Sequence, residues 1–464
     1  MPNFDWPLVD AQCRPLVLVI LPLYLLSEAI SRLQRILLVD KSSIPRRESP
    51  NMSKEIPIAG RPAAAQNDSD DEPTFPPYTG PMFLSYGFRP FFLGAALFGS
   101  LAILVWVVLF AGGVYAAFLY SPREWHVHEM LFGFIPALIA GFLLTAMPNW
   151  TDRMPLRGAP LLVLFLLWLA GRLLVTSPWF GPAFSAVVDG AFLVLLAAYV
   201  WREIIAAGCW DRAPIGVLVG FYAWANIIFH VSALRGAPTD FSERFALSVM
   251  TLMLTIIGGR LTPTFTREFL AERNMPLLLE IFSPIDGIAI ILVLAGVITW
   301  IFRPESAWAG VMLVVAGLAS VVRLVRWGGW RTWEEPLVLI LHVGYGWVGL
   351  FLIALGAAIL GIGFSVENAV HLLTTGAMGA MTLAVMTRAS LGHTGRARYA
   401  DRLTGTIYLL VNVGALLRIF APHSEAPTAM THTMLGLSAL CWSGAYVLFA
   451  LHYGPYLVRP SLDD

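Results

Sequence analysis

The feature that most constrains this chain is the recurrence of long apolar runs from Phe83 onward. Each of twelve such runs is long enough to cross a bilayer core of about 30 Å as a helix rising about 1.5 Å per residue. In lipid the backbone must satisfy its own polar groups, so helices are expected rather than open strands. The runs also lack the period-2 alternation of an outer-membrane barrel. The predicted fold is therefore all-α, a polytopic transmembrane helix bundle of about 12 spans.

Short polar breaks separate the predicted helices. Composition agrees with a membrane protein, because 57% of residues are hydrophobic and 13% are charged, against about 25% charged in soluble domains. Residues 81–455 are interpreted as a single 12-helix membrane domain, followed by a short C-terminal tail at 456–464. The helices are predicted at residues 88–111, 125–149, 159–176, 182–202, 213–235, 244–265, 277–301, 306–325, 334–360, 366–388, 402–421 and 429–453.

Residues 1–80 differ from the rest of the chain. The apolar run from Leu16 to Leu26 is only eleven residues long and contains Pro22, which is short for a span. Polar sequence follows it, without the small-residue cleavage site of a signal peptide. We predict a poorly ordered N-terminal extension, and Met52 is an alternative start that would make the preceding residues an annotation artefact.

The distribution of arginines predicts the orientation. Fourteen arginines are assigned to the loops after the even-numbered helices, and six to the opposite loops, namely Arg123, Arg172, Arg235, Arg244, Arg303 and Arg418. The positive-inside rule then places both termini in the cytoplasm. The formal net charge of +0 gives no argument for a nucleic-acid partner. Membrane lipid is the expected surroundings of the predicted spans.

Histidines within the spans are the leading candidates for function. Six of the nine fall within or at the ends of predicted helices, namely His126, His128, His230, His342, His371 and His432. An ionisable group in the bilayer is costly and normally faces the bundle interior with a partner. Neutral imidazole is also a common haem and metal ligand. For any one histidine, a hydrogen-bonded interior side chain is the simpler interpretation, but six together favour haem or metal binding.

The segment Trp125–Met130 is the most specific of these features. His126 and His128 are two positions apart, so on a helix their side chains point about 200° apart. They are then unable to chelate one ion together, but each can serve a different cofactor on opposite faces. The alternative is that one caps the helix at the interface while the other faces the core. Glu129 is either a hydrogen-bond partner of a ligating imidazole or a favourable negative charge near a helix N-terminus.

Three other features are less specific. Arg260 can pair with a haem propionate or a lipid phosphate, or serve as an ordinary positive-inside anchor. Met378, Met381 and Met386 can be soft copper ligands, although filling gaps in a packed core is the commoner role. His393 lies in a glycine-flanked loop that can fold back toward the bundle. There is no CxxCH motif, so any haem is expected to be b-type or related.

Several stretches resemble the NnrS family, and the resemblance extends over roughly residues 83 to 455. They are Phe88–Phe92, Trp125–Met130 continuing to Ala146–Trp150, Gly258–Phe265, Met381–Arg388 and Leu391–Arg396. The family comprises bacterial polytopic membrane proteins associated with nitric oxide metabolism and nitrosative stress, and described as containing haem and copper. The resemblance therefore implies a multi-pass protein of the bacterial cytoplasmic (inner) membrane, with nitric oxide as a ligand and an unidentified electron donor. It does not by itself establish an enzymatic reaction.

The resemblance also implies which residues bind the cofactors. The cofactor-binding set is His126, His128, His342, His371 and His393, with a metal at His126, His128 and His371. Glu129, Arg260 and Arg388 are the expected supporting residues around these ligands. His230 and His432 lie outside the matching motifs.

Two other functional classes stay open on the sequence alone. A transporter would use the intramembrane histidines as a proton or metal relay, and predicts water-accessible histidines and no Soret band. A purely structural membrane subunit predicts that replacing the histidines changes neither phenotype nor spectra.

Overall fold

A computed structural model describes residues 76–462 except 113–118, 178, 277–281, 364 and 423–427. Within these residues there are twelve helices long and apolar enough to cross a membrane, and no β-strand. This confirms the prediction of an all-α polytopic bundle. Residues 1–75 of the predicted N-terminal extension lie outside the described residues. The described residues other than Trp210–Pro214 form one compact unit.

The twelve helices follow one another with short connections and are labelled α1 to α12. They run Phe88–Gly112, Pro122–Thr151, Ala159–Thr176, Pro182–Ala207, Ala213–Leu234, Asp240–Glu272, Pro284–Phe302, Ala307–Arg326, Pro336–Ile359, Val366–Gly392, Arg402–Ile419 and Ala429–Val458.

Several helix ends differ from the sequence prediction, and at the start of α2 local capping explains the difference. α2 begins at Pro122, since the side chains of Ser121 and Glu124 each accept a hydrogen bond from the other residue's backbone N–H. α6 extends beyond the predicted 244–265 at both ends, into polar sequence. α12 continues to Val458, so the first residues of the predicted tail are helical.

Four helices form the interior of the bundle. Of the apolar 18-residue stretch of α2, 83% is buried within the protein, and the value is 67% for α6, α9 and α10. The other eight helices have 39–44% of that stretch buried. Their outer faces carry exposed apolar side chains such as Leu101 and Val163, as expected where lipid is the solvent.

The first and last helices pack together and join the two ends of the membrane domain. Arg89, in the first turn of α1, donates to the carbonyl oxygens of Tyr456, Leu457 and Arg459. These carbonyls lie at the C-terminal end of α12, where the helix leaves acceptors without intrahelical partners. Arg89 is 2% exposed, so the Phe88–Phe92 motif has a structural role in this contact.

Three of the four interior helices contain a π-helical segment. Such a segment inserts an extra residue and disturbs the backbone hydrogen-bond ladder. Side chains from other helices donate to carbonyls in two of them: Trp168 Nε1 to Gly133 O at 2.9 Å, and Arg323 Nη1 to Thr255 O at 2.8 Å. The segments are Glu129–Phe134 in α2, Leu254–Gly258 in α6 and Leu372–Ala377 in α10.

The assignment of Arg172 to a loop was wrong. Arg172 lies inside α3, is 3% exposed, and pairs with the carboxylates of Glu129 and Asp189. Sequence reasoning missed this because an arginine near the end of an apolar run resembles a terminal anchor. The assignment of Arg323 to a loop was wrong for the same reason, since it lies inside α8, is 1% exposed and pairs with Asp286. A buried, paired arginine carries no topological signal, but the remaining thirteen arginines against five still predict both termini in the cytoplasm.

Candidate functional site

The first polar centre is a cavity of about 790 Å³ between the helices, which we call the cavity site. His126 on α2 and His371 on α10 both line it. Its lining also includes the apolar rings of Trp106, Phe134 and Trp442. Pockets that hold small molecules or cofactors typically have volumes of about 300–1,000 Å³ and mostly apolar walls, so the cavity site is of suitable size.

His126 is held against the wall of the cavity site by an aromatic neighbour. Its ring stacks on Trp106 with a centroid separation of 4.5 Å and an interplanar angle of 10°. Within the described part of the chain, His126 Nδ1 is buried and has no hydrogen-bond partner. A buried nitrogen without a partner is costly in a native structure and calls for a ligand or an ordered water.

His371 has a defined tautomer. Its Nδ1 lies 2.6 Å from the backbone carbonyl oxygen of Glu367, one turn earlier on α10. A carbonyl oxygen only accepts, so Nδ1 carries the proton and the lone pair is on Nε2. This is the arrangement in which a backbone carbonyl orients a metal-ligating imidazole. His371 lies directly before the π-helical segment of α10.

Charged side chains surround one end of the cavity site. Arg123 on α2 forms a bidentate pair with Glu243 on α6, with both N–O distances 2.9 Å. Arg418 at the end of α11 donates to Asn368 at 3.1 Å. Arg244 also lines the cavity, and its buried Nε has no hydrogen-bond partner among the described residues. Asp240, Glu243, Glu305 and Glu367 line the same cavity, so its three arginines stand against four carboxylates.

The second polar centre lies on another side of α2, and we call it the buried cluster. It contains His128 on α2, Asp189 on α4 and His230 on α5, all less than 4% exposed. His128 Nε2 lies 3.2 Å from Asp189 Oδ2, and His230 Nε2 lies 2.9 Å from the same oxygen. These three ligand atoms all lie within 4.8 Å of one another, so the group could hold a metal ion.

Each imidazole of the buried cluster has a polar neighbour on its other nitrogen. His128 Nδ1 lies 3.0 Å from Glu129 Oε1, and His230 Nδ1 lies 2.5 Å from the Tyr120 hydroxyl. Burial raises the pKa of the Tyr120 phenol above its ordinary value, and the negative charges of Glu129 and then Glu124 raise it further. The phenol therefore stays neutral.

Arg172 and Asn226 complete the contacts of the buried cluster. Arg172 donates to Glu129 Oε2 at 2.8 Å and to Asp189 Oδ1. Asn226 Nδ2 donates to Asp189 Oδ2 at 2.9 Å, and its Oδ1 lies 3.3 Å from His128 Nε2. Two carboxyl groups therefore share one guanidinium in the buried cluster.

The structure separates the residues that the sequence grouped as ligands. His126 and His371 share the cavity site, while His128 leaves α2 on another side and meets His230. His342 lies elsewhere, with its Nε2 2.8 Å from Thr266 Oγ1 in the far half of α6. Its Nδ1 is buried without a hydrogen-bond partner among the described residues.

His393 and the two predicted supporting arginines lie toward the other ends of their helices. His393 follows His371 by 22 residues on α10, or roughly 33 Å along a helix, and packs against Tyr86 and Phe88. Arg388 pairs with Glu268 at 2.5 Å, and Arg260 is exposed on α6 beyond its π-helical segment. The ligand or supporting roles of these residues and of His342 stay predictions.

Sequence reasoning missed two central residues of the buried cluster, Asp189 and Arg172. Both are charged residues inside apolar runs, a signal that marks functional or paired positions in a membrane. Attention to Asp189, seven residues into α4, could have identified it. The partners at the rim of the cavity site, Arg244 and Arg418, could not be distinguished from ordinary helix-end arginines.

Comparison with known proteins agrees with the resemblance of the sequence motifs. No curated protein matches the chain. The family model described as NnrS protein matches residues 82–461, and this range includes all twelve helices. The chain therefore belongs to the NnrS family.

Proposed function

We propose that this protein binds haem and copper in the bacterial cytoplasmic membrane and acts in the metabolism of nitric oxide or in protection against nitrosative stress. The single observation that carries the haem assignment is the cavity site, where histidines from two interior helices line one largely apolar space. The link to nitric oxide and to the inner membrane rests on family membership. We propose the predicted orientation, with both termini cytoplasmic, as part of this assignment.

The residues of the cavity site fit a b-type haem. Haem is a flat apolar ring with two carboxylates on one edge. Trp106, Phe134 and Trp442 offer apolar walls, and Arg244 and Arg418 are the lining arginines that could meet the haem carboxylates, beside the lining carboxylates Glu305 and Glu367. His126 lines the cavity, and an imidazole is a common axial ligand of haem iron. His371, with its lone pair on Nε2, is the second candidate ligand.

A bound haem would supply an iron able to bind nitric oxide in an apolar site. The protein's own contribution is to orient the ligands and exclude water. Stacking on Trp106 fixes the plane of the His126 ring, and the Glu367 carbonyl fixes the tautomer of His371. The apolar walls lower the local dielectric, which strengthens every charge interaction inside the site.

The test is an optical spectrum with metal analysis of the purified full-length protein. We expect a Soret band in the wild type that is lost or strongly shifted in His126→Ala and His371→Ala. His432→Ala is the matched control, because His432 contacts Phe110 near the same end of the bundle. Absence of haem after cofactor-replete expression would overturn the assignment, as would an unchanged spectrum in both cavity variants.

One observation favours the alternative of a transporter with a histidine relay. Tyr120, His230, Asp189, His128 and Glu129 form a continuous chain of polar contacts inside the bundle. Such a chain is the arrangement expected of a proton path through a membrane protein. Proton or metal flux into vesicles containing the purified protein, lost in His230→Ala, would favour this function over haem binding.

A further inference from the structure

We infer that the buried cluster is a transition-metal site, with His128 Nε2, His230 Nε2 and Asp189 Oδ2 as ligands. Imidazole nitrogens and carboxylate oxygens bind first-row divalent ions at about 2.0–2.2 Å, so tetrahedral ligands lie about 3.3–3.6 Å apart. The observed separations from Asp189 Oδ2 are 3.2 Å to His128 and 2.9 Å to His230, and all three ligand atoms lie within 4.8 Å of one another. Adjusting these separations by roughly half an ångström would seat an ion among them.

Both ring nitrogens of His128 face oxygen atoms of other side chains. Its Nδ1 lies 3.0 Å from Glu129 Oε1, and its Nε2 lies 3.2 Å from Asp189 Oδ2. With Nδ1 donating to Glu129, Nε2 is directed at the space next to Asp189 Oδ2 and Asn226 Oδ1, the latter 3.3 Å away. Nε2 is therefore the nitrogen through which His128 would bind an ion.

The convergence of the ligand atoms carries the inference. Glu129 and Asp189 share the single guanidinium of Arg172. A cation held by His128, Asp189 and His230 would be bound by three ligand atoms from three helices, and these atoms lie within 4.8 Å of one another.

The surroundings of both imidazoles resemble those of metal-bound histidines. A ligating histidine usually donates its other N–H to a carboxylate, a carbonyl or water, which fixes the ring and raises its basicity. His128 has Glu129 in this position, and His230 has the Tyr120 hydroxyl at 2.5 Å. Asn226 Oδ1 is the nearest candidate for a fourth ligand.

The metal site is separate from the cavity site. His126 lines the cavity, while His128, Asp189 and His230 are not among its described lining residues. Two positions on α2 thus serve two centres. The inference rests on the proposed function only in identifying the ion as copper, since the ligand geometry suits other divalent transition ions as well.

The experiment is to load purified full-length protein with Cu²⁺, remove unbound copper by gel filtration in EDTA, and measure copper per protein and the Cu(II) EPR spectrum. The wild type should retain about one copper with nitrogen hyperfine structure from the two imidazoles. Asp189→Asn and His230→Gln should bind copper at least about tenfold more weakly, the effect typical of disturbing a metal site. His432→Ala is the control that keeps the copper.

The outcomes separate this inference from the proposed function. Haem absorbance is recorded on the same samples and should be unchanged in Asp189→Asn and His230→Gln. Haem without additional copper in the wild type would overturn the metal site alone and indicate a protonated histidine. Copper without haem would overturn the haem assignment alone. Full copper retention in both variants, with an unchanged EPR spectrum, would also overturn the site.

Variants that fail to fold are recognised by their gel-filtration profile. In that case Tyr120→Phe gives the decisive measurement, because it leaves the three ligands and all charges in place. A wild-type copper affinity in Tyr120→Phe, together with an unchanged EPR spectrum, would contradict the role of the phenol in orienting His230. Weaker copper binding with normal haem content would support it.

Discussion

Two buried ionic clusters in this bundle contain similar residues but differ in their ratio of carboxylates to guanidinium groups. In the buried cluster, Arg172 on α3 pairs with Asp189 on α4. In a second group, which we call the α7–α8 cluster, Arg323 on α8 pairs with Asp286 on α7 at 2.6 Å. Both arginines and both aspartates are less than 4% exposed. Each cluster therefore joins two neighbouring helices through a buried ion pair.

The α7–α8 cluster is saturated. Asp286 accepts from Arg323, from Arg326 at 3.3 Å, and from the backbone and hydroxyl of Ser283 at 2.7 and 2.8 Å. Arg323 also donates to the Tyr345 hydroxyl at 2.8 Å and to carbonyls of the α6 π-helical region. There is no excess of negative charge and no imidazole in these contacts. This cluster has the features of a structural element.

The buried cluster differs because its carboxylates outnumber its guanidinium and its remaining polar groups are imidazoles. A saturated cluster holds helices together, whereas an unsaturated one of the same kind can accept a proton or an ion. The comparison shows that a buried charged residue in a membrane protein indicates a binding site chiefly when charged or polar groups around it lack a matching partner.

The largest expected effect comes from removing the carboxylate of the saturated cluster. Asp286→Asn leaves Arg323 buried without its counter-charge and should lower the free energy of unfolding by about 3–5 kcal/mol. Asp189→Asn should cost about 1–3 kcal/mol in metal-free protein, because Arg172 keeps Glu129 as a partner. Thermal unfolding in detergent measures both. Equal losses of unfolding free energy in the two variants would contradict the difference in charge pairing between the two clusters.

A smaller effect is expected from the phenol of the buried cluster. Tyr120→Phe removes the hydroxyl next to His230 Nδ1 and should weaken copper binding by about 10–100-fold, as is typical for the hydrogen-bond partner of a metal-bound histidine. A competition titration with a chelator of known affinity measures the change. Tyr345→Phe is the matched control and should leave copper binding as in the wild type.

The smallest effect is expected from the phenol of the α7–α8 cluster. Tyr345→Phe removes one of several hydrogen bonds of Arg323 and should reduce the free energy of unfolding by about 1 kcal/mol. The same Nη1 still donates to Thr255 O, so the guanidinium stays partnered. Chemical or thermal unfolding is the measurement, and a loss as large as that of Asp286→Asn would show that the cluster is less redundant than its contacts indicate.

The fold was largely predictable because span length and apolarity are properties of single segments. Each of the twelve spans was placed within a few residues at most ends, and α7 begins at Pro284 because Ser283 and Asp286 form a capping box there. The π-helical segments were not predictable: a one-residue insertion leaves no mark in a helix that is apolar on nearly every face, as in Glu129–Phe134 of the 83%-buried α2.

The candidate sites were only partly accessible from the sequence. Individual histidines could be selected, since each is costly in a bilayer. Their partners could not, because pairing depends on which helices become neighbours: His230 is 102 positions after His128, yet their ring centroids lie 4.8 Å apart. Arg172 illustrates the same limit, since its two carboxylate partners come from two other helices.

The π-helical segments of α2 and α10 have a consequence for how such a protein can change by insertion or deletion. In both helices the histidine that lines the cavity lies on the N-terminal side of the segment, and the tightly packed half lies after it. Deleting one residue from the segment would restore a regular helix and rotate the histidine-bearing turn by about 100° relative to the rest. His126 would then face away from the cavity while the packed half kept its neighbours. Length changes of a single residue at these two places would thus redirect the proposed cofactor ligands without rebuilding the bundle. If the proposal holds, lineages that differ there should differ in their cofactors before they differ in their fold.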